Sequence, residues 1–130
     1  DAVKALSEAS RGTARVGLRL LRRCRDYAQS HGDDKITKDV VKKTLKLLGT
    51  DKQGLERIDR IILKTMLEHF AGGPVGLSTL AASISEDENT VADVYEPYLM
   101  KCGFIKRTSR GRVLTQKGLK YIEALDEEKR

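Results

Sequence analysis

Four arginines, Arg11, Arg15, Arg19 and Arg22, recur at spacings of four, four and three, flanked by Arg23 and Arg25. On a helix that spacing lines up the first four on one face. A row of guanidiniums presents rigid forks of N–H donors to phosphate, a nucleotide or an acidic partner. A merely solvated face carries the same pattern, and spacing alone does not choose between them. A second basic set, Lys101, Lys106, Arg107, Arg110, Arg112, Lys117 and Lys120, runs on with no acid interrupting it. It follows directly on an acidic set, Glu86, Asp87, Glu88, Asp93 and Glu96.

Other site chemistry finds little support. Cys24 and Cys102 lie far apart with no C-x-x-C spacing, so they read as two reduced thiols packed in or near cores. His31 and His69 are isolated from any carboxylate or cysteine cluster with metal-ligand spacing, and read as ordinary helix-end residues. No metal site and no catalytic residue is expected. A P-loop, G-x-x-x-x-G-K-[ST], and an acidic metal-binding strand are both lacking, so these 130 residues alone are not expected to hydrolyse ATP.

The elements that must position these residues follow from composition and periodicity. With 39% hydrophobic and 34% charged residues and 5% aromatics, the chain belongs among mainly helical globular proteins. Its length allows one ordinary domain or two small ones. The formal charge of +6 lies wholly in the first part, where residues 1–53 hold 13 Lys/Arg against 7 Asp/Glu and residues 54–130 hold 12 against 12. No run approaches a membrane span, and the start has no signal pattern, so a cytoplasmic location is expected. The start also lacks methionine and falls inside an amphipathic run, Val3, Leu6 and Ala9, which suggests that something precedes residue 1.

A first helix is predicted to end near Ser10. A second runs from Thr13 as N-cap to His31-Gly32, with Val16, Leu20, Cys24 and Tyr27 on its buried face. A third starts at Thr37, carries Val40, Val41, Leu45 and Leu48, and stops at Gly49. The polar stretch Thr50-Asp51-Lys52-Gln53-Gly54 reads as a linker. Beyond it Leu55, Ile58, Ile61, Ile62, Met66 and Phe70 trace a new helix. The domains are thus 1–52, a small helical bundle, and 53–130.

Within the second domain, Val75-Gly76-Leu77 reads as a short strand, and Ser78 as the cap of a brief helix carrying Leu80, Ala81 and Ile84. The box Ser85-Glu86-Asp87-Glu88 opens another helix with Val91, Val94, Tyr95 and Tyr98 on one side. Phe104–Arg107 and Arg112–Leu114 form a β-hairpin about the turn Thr108–Gly111, and a last helix from Thr115 to about Leu125 closes the core with Leu119 and Ile122. This order is a winged helix-turn-helix with a two-stranded wing.

In the usual helix-turn-helix the second helix lies in the major groove and needs Arg, Lys, Asn or Gln facing the bases. Here that helix is Glu88 to about Met100, and its segment 85–97 holds five acids and no base. The wing has the opposite chemistry. Lys106, Arg107, Arg110 and Arg112 suit a phosphate ridge or a minor groove, giving affinity with little sequence reading; a basic hairpin that is only solvated is the other reading.

Several segments together resemble the RuvB family. Gly12-Thr13-Ala14-Arg15 with Arg19-Leu20-Leu21-Arg22-Arg23 resembles its G-T-P-R…R-L-L-R-R segment. Gly73-Pro74-Val75-Gly76-Leu77, Val94-Tyr95-Glu96-Pro97-Tyr98-Leu99 and Arg107-Thr108-Ser109-Arg110-Gly111-Arg112 resemble G-P-V-G-L, V-Y-E-P-Y-L and R-T-P-R-G-R. The resemblance covers nearly the whole chain. It implies the AAA+ lid followed by the winged helix of an ATP-driven motor of Holliday-junction branch migration, in recombination and repair. It further implies nucleotide-binding roles for Arg15, as the sensor of the γ-phosphate, and for the loop holding Ala14. DNA contact falls to the wing arginines Arg110 and Arg112. ATP and Mg in the parent, duplex arms of a junction, RuvA and a self-assembled ring are the implied cofactors and partners. Ala14 and Ser109 replace two prolines of the pattern, which puts nucleotide packing and wing rigidity in question. A winged-helix transcription regulator, and a winged helix that binds only protein, are the alternatives.

Overall fold

The computed structural model describes residues 1–11, 14–32, 34–51 and 53–128, the last by its backbone only. The predicted N-cap Thr13 lies outside them. The chain divides into two compact units, Asp1–Arg57 and Ile58–Arg130.

The first unit is three helices, α1 (Ala2–Ala9), α2 (Ala14–Ser30) and α3 (Lys38–Leu48), each packed on the other two. Thr37 caps α3 by accepting from the Val40 amide, and Gly49 ends it in the left-handed conformation, as its sequence predicts. The core is Ala9, Leu20, Cys24, Ala28, Val40, Val41 and Leu45, with Val16 and Tyr27 partly buried against it. Val3, predicted for this face, instead stands 76% exposed, and the alanines Ala2 and Ala5 pack in its place. Small side chains let α1 lie close to its neighbours.

Within the predicted linker the described residues Asp51, Gln53 and Gly54 are tied by hydrogen bonds. The Asp51 carboxylate accepts from the amides of Gln53 and Leu55, each at 2.9 Å, and the Asp51 amide donates to the Leu55 carbonyl at 2.9 Å. Gly54 has φ +87°, and a Cβ there would come 2.7 Å from the Ala9 carbonyl oxygen. Only glycine permits both that conformation and that approach. Arg11 then donates from Nη1 to the Gly54 carbonyl at 2.8 Å. Leu55, expected on the next helix, therefore precedes it as a fully buried residue of the first unit.

The second unit is built on α4 (Arg57–Phe70), α5 (Leu77–Ser83), α6 (Glu88–Thr90), a π-helical turn (Val91–Tyr95), α7 (Glu96–Lys101), strands β1 (Ile105–Thr108) and β2 (Gly111–Leu114), and α8 (Gln116–Glu128). It is the mainly helical winged helix-turn-helix with a two-stranded antiparallel wing that the sequence predicts. Its buried residues include Ile62, Leu63, Met66, Leu80, Val91, Leu99, Phe104 and Ile122. Three local readings change. α5 begins at Leu77, with Gly76 as an N-cap that has no side-chain bond. Asp87, not Ser85, caps α6, accepting from the Thr90 amide at 3.2 Å. Ile61 and Val94, both predicted to face inward, are exposed.

The exposure of Val94 has a definite cause. The Glu96 amide donates to the Val91 carbonyl, an i to i−5 bond that adds one residue to the turn. One extra residue spread over Val91–Tyr95 shifts the facing of Val94 within the turn and rotates the residues after it by about 100°. Pro97, which has no amide to continue the i to i−4 ladder, follows at the start of α7. Val94 turns outward, and Glu96 and Leu99 turn in.

Candidate nucleic-acid interface

The wing register pairs Ile105 with Leu114, Lys106 with Val113, Arg107 with Arg112 and Thr108 with Gly111. Side chains alternate across a strand. Arg107 therefore shares the face of buried Ile105, and Lys106 takes the opposite, exposed one. Gly111 has φ +132°, and a Cβ there would lie 2.6 Å from the Val75 carbonyl oxygen. This glycine admits Val75 as a third, one-residue strand, where the sequence predicts a short strand. The Val75 amide donates to the Arg112 carbonyl at 3.0 Å and the Arg112 amide to the Val75 carbonyl at 2.7 Å.

At the tip, the Thr108 hydroxyl donates to the Gly111 carbonyl at 2.8 Å and accepts from the Arg110 amide at 3.2 Å. These bonds stiffen a turn in which Ser109 stands where the family pattern has proline. Behind the hairpin, the Thr115 hydroxyl donates to the Gly103 carbonyl and accepts from the Gly118 amide at 3.1 Å, anchoring the start of α8.

The predicted wing residues fall into two groups. Lys106 and Arg110 are exposed and take part in none of the ion pairs among the described residues. Arg107 and Arg112 both bind Glu96, whose side chain is fully buried. Arg112 donates from Nε to Glu96 Oε1 and from Nη2 to Oε2 at 3.4 Å, and Arg107 donates from Nη2 to Oε2 at 2.8 Å. The Arg112 side chain is 16% exposed and that of Arg107 54%. Reading the whole hairpin as an exposed tip thus holds for Lys106 and Arg110 and fails for Arg112.

Burial by itself would push the Glu96 carboxyl up; hydrogen bonds and positive charge from Arg112, then Arg107, outweigh it and hold the group below its ordinary range. Sequence reasoning misplaces Glu96, as one acid among five on a solvated helix. Asp87, Glu88 and Asp93 do remain exposed, so the surface of that helix is still acidic.

In the first unit, Ala14 begins α2, and Arg15, Arg19, Arg22, Arg23 and Arg25 are all exposed. Arg11 leaves the predicted row. Its backbone is left-handed, φ 58°, and its side chain turns to Gly54. Leu18 and Leu21 lie exposed among the arginines. Arg15, Arg19 and Arg22, one turn apart, form a cationic face that can meet phosphate charge, but no group of three or more His, Cys, Asp or Glu able to hold a metal ion occurs among the described residues. Among those residues no helix is long and apolar enough to cross a membrane.

Comparison with known proteins places this geometry. The sequence model of the RuvB AAA lid domain matches residues 1–51, and that of the RuvB C-terminal winged helix domain residues 52–123. The Holliday junction branch migration complex subunit RuvB of Streptococcus uberis is 50% identical over 123 residues, covering 95% of this chain and 37% of that protein. Its counterpart in Fervidobacterium nodosum is 48% identical over 122 residues, 94% of this chain and 35% of that one. The solved structure of the Thermotoga maritima RuvB Holliday junction branch migration motor superposes with a TM-score of 0.90 at 45% identity, covering 94% of this chain and 41% of that one. The chain spans well under half the length of these relatives. A sequence-reading transcription regulator finds no support in these matches. Taken with the lid-like bundle and the basic wing, they show that the chain belongs to the RuvB family, of which it comprises the AAA lid and the C-terminal winged helix.

Proposed function

We propose that this chain is the nucleotide-sensing and DNA-gripping part of an ATP-dependent branch-migration motor, in which residues 1–52 act as the lid and residues 53–130 bind duplex DNA. The observation that carries this reading is the polarity of the winged helix. The helix that would enter a major groove exposes Asp87, Glu88 and Asp93, while the hairpin beside it exposes Lys106 and Arg110. Phosphates are attracted to the second surface and repelled by the first. The hairpin, with Lys106 and Arg110 on its surface, therefore leads binding, and does so with little regard to sequence.

In the lid, Arg15 supplies positive charge to the terminal phosphate of ATP, and the loop ending at Ala14 flanks the nucleotide. The rest of the nucleotide site, with Mg, belongs to sequence outside this chain, where the acceleration from charge stabilisation arises. RuvA, the duplex arms of a Holliday junction and further copies arranged in a ring are the partners of the whole protein, and the cytoplasm its location. The relatives' role in Holliday junction branch migration supports this assignment.

Titration of the chain against two duplexes of unrelated sequence tests it. Affinities for the two should agree within about twofold and fall steeply with salt. Strong preference for one duplex, insensitive to salt, would return the domain to sequence-specific regulation.

A further inference from the structure

The register of the wing creates a problem that a buried residue solves. Arg107 and Arg112 are directly opposed across the strands, and like charges in that position repel. Both guanidiniums are turned to one carboxylate, Glu96, which the π-helical turn has rotated into the interior. Arg112 is bound through two nitrogens, and its backbone is fixed as well by the pair of bonds to Val75. Arg107 is bound through a single nitrogen, with more than half its side chain still in solvent. Charge-assisted bonds of this kind, with both carboxylate oxygens engaged, are strong and directional.

We propose that Glu96 is the positioning residue of the wing: its carboxylate clamps Arg107 and Arg112 to α7, fixes the hairpin in its DNA-binding pose, and withholds Arg112 from the DNA. Resting on the reading of the wing as the DNA-binding element, this divides the four basic residues by task. Lys106 and Arg110 meet phosphate directly. Arg107 keeps its outer N–H groups for phosphate while remaining bound to Glu96. Arg112 is a structural cation, because taking it to DNA would leave a buried carboxylate partly uncompensated.

The clamp and a simple charge-neutralising role predict opposite signs. Glu96→Gln raises the net positive charge by one, so a neutralising role predicts tighter DNA binding and a steeper salt dependence. Loss of a clamp predicts weaker binding. A hairpin holding the competent pose about one-tenth of the time would bind about tenfold more weakly. The amides of β1 and β2 would also exchange faster in the free protein.

The test uses the whole chain labelled with nitrogen-15 and a duplex of about 20 base pairs, followed by NMR and by salt-dependent anisotropy. In the wild type, the Arg112 Nε–H signal should be protected from exchange before DNA is added and hold its position to saturation, while the Arg110 Nε–H signal moves. Glu96→Gln should bind about tenfold more weakly with less protected hairpin amides. The double variant Glu96→Gln/Arg112→Gln, which leaves the net charge as it was, should keep the wild-type slope of log K against log salt. Movement of the Arg112 signal on DNA, tighter binding by Glu96→Gln, or a slope shallower by about 0.9 in the double variant would each overturn the clamp. The wild-type measurement decides the point even where a variant fails to fold. Should DNA move no wing signal at all, Arg110 included, the DNA reading falls. The clamp is then judged in the free protein, where unchanged hairpin exchange in Glu96→Gln overturns it and faster exchange upholds its positioning of the hairpin.

Discussion

Glu96 and Val91 stand one π-helical turn apart, the amide of the first donating to the carbonyl of the second, and both side chains are buried. That bond decides which of the acids in this segment faces the wing. In uninterrupted α-helix, residues five apart differ by about 140° around the axis, and Glu96 would point away from the face that Val91 buries. The π turn brings the two into line, and the hairpin gains its counter-charge.

Deleting the two wing arginines should therefore have unequal effects on stability. Arg112→Ala leaves Glu96 buried with a single half-exposed partner, and should destabilise the second unit by about 3 kcal/mol. Arg110→Ala, at the exposed tip, should change stability by no more than roughly 0.5 kcal/mol. Urea midpoints of the two variants check this, provided the unfolding slope is unchanged. Equal midpoints would mean that the bonds to Glu96 contribute nothing to folding.

Stability should also fall in acid through Glu96. Its carboxyl lies below the ordinary range when folded and returns to that range on unfolding, so the folded state is favoured fully at pH values above the ordinary carboxylate pKa. The contribution is lost progressively as pH drops through that value toward the lower folded one. Urea unfolding between about pH 7 and pH 3 should show wild type losing its advantage over Glu96→Gln across that acidic window. A difference that stays constant would assign the advantage to packing.

How far the sequence made this legible depended on whether the informative contact was local. Thr37 and Gly49 mark α3 because a cap and a left-handed stop act over a few residues. The hairpin was legible because Gly111 and the flanking strand residues are its neighbours. Glu96 was not, since its partners lie 11 and 16 residues away and the π turn breaks the 3.6-residue period used to assign faces. The Asp51 turn was hidden for a related reason. A polar, glycine-containing stretch looks like linker, and only the fold shows Ala9 and Arg11 closing on Gly54. The sequence marks Lys106 and Arg110 as exposed, and they are; Arg112, identical in type to Arg110 and two residues from it, is not, because burial is set by the far side of the contact.

The two cysteines should differ in reactivity. Burial pushes the Cys24 thiol up, with a hydrogen bond between it and Thr44 opposing it only in part, and its side chain is inaccessible. Cys102 is partly exposed. Thiolate and access both control the rate, so a disulfide reagent at neutral pH should modify one thiol quickly and the second only as the first unit unfolds. Peptide mapping should place the fast site at Cys102; fast labelling of Cys24 would show that the α2–α3 core opens readily.

In the longer protein that supplies the nucleotide site, Arg15→Ala should lower ATP turnover on the order of 10²-fold, the usual effect of removing one donor aimed at developing charge. Duplex affinity measured without nucleotide should be unchanged, because the wing lies in the other unit. Steady-state turnover and anisotropy together check this. Unaltered turnover would leave the exposed α2 arginines as a solvated or partner-binding face.

Whether the wing grips duplex DNA through its phosphates is decided by the salt slope of Lys106→Ala/Arg110→Ala. The slope of log K against log salt should be shallower than that of wild type by about 0.9 for each phosphate no longer neutralised, so by about 1.8 for the pair. The change should be the same on duplexes of unrelated sequence. A wild-type slope in this double variant, with binding instead abolished at one particular sequence by Asn89→Ala or Thr90→Ala in α6, would refute wing-led binding and assign recognition to the helix.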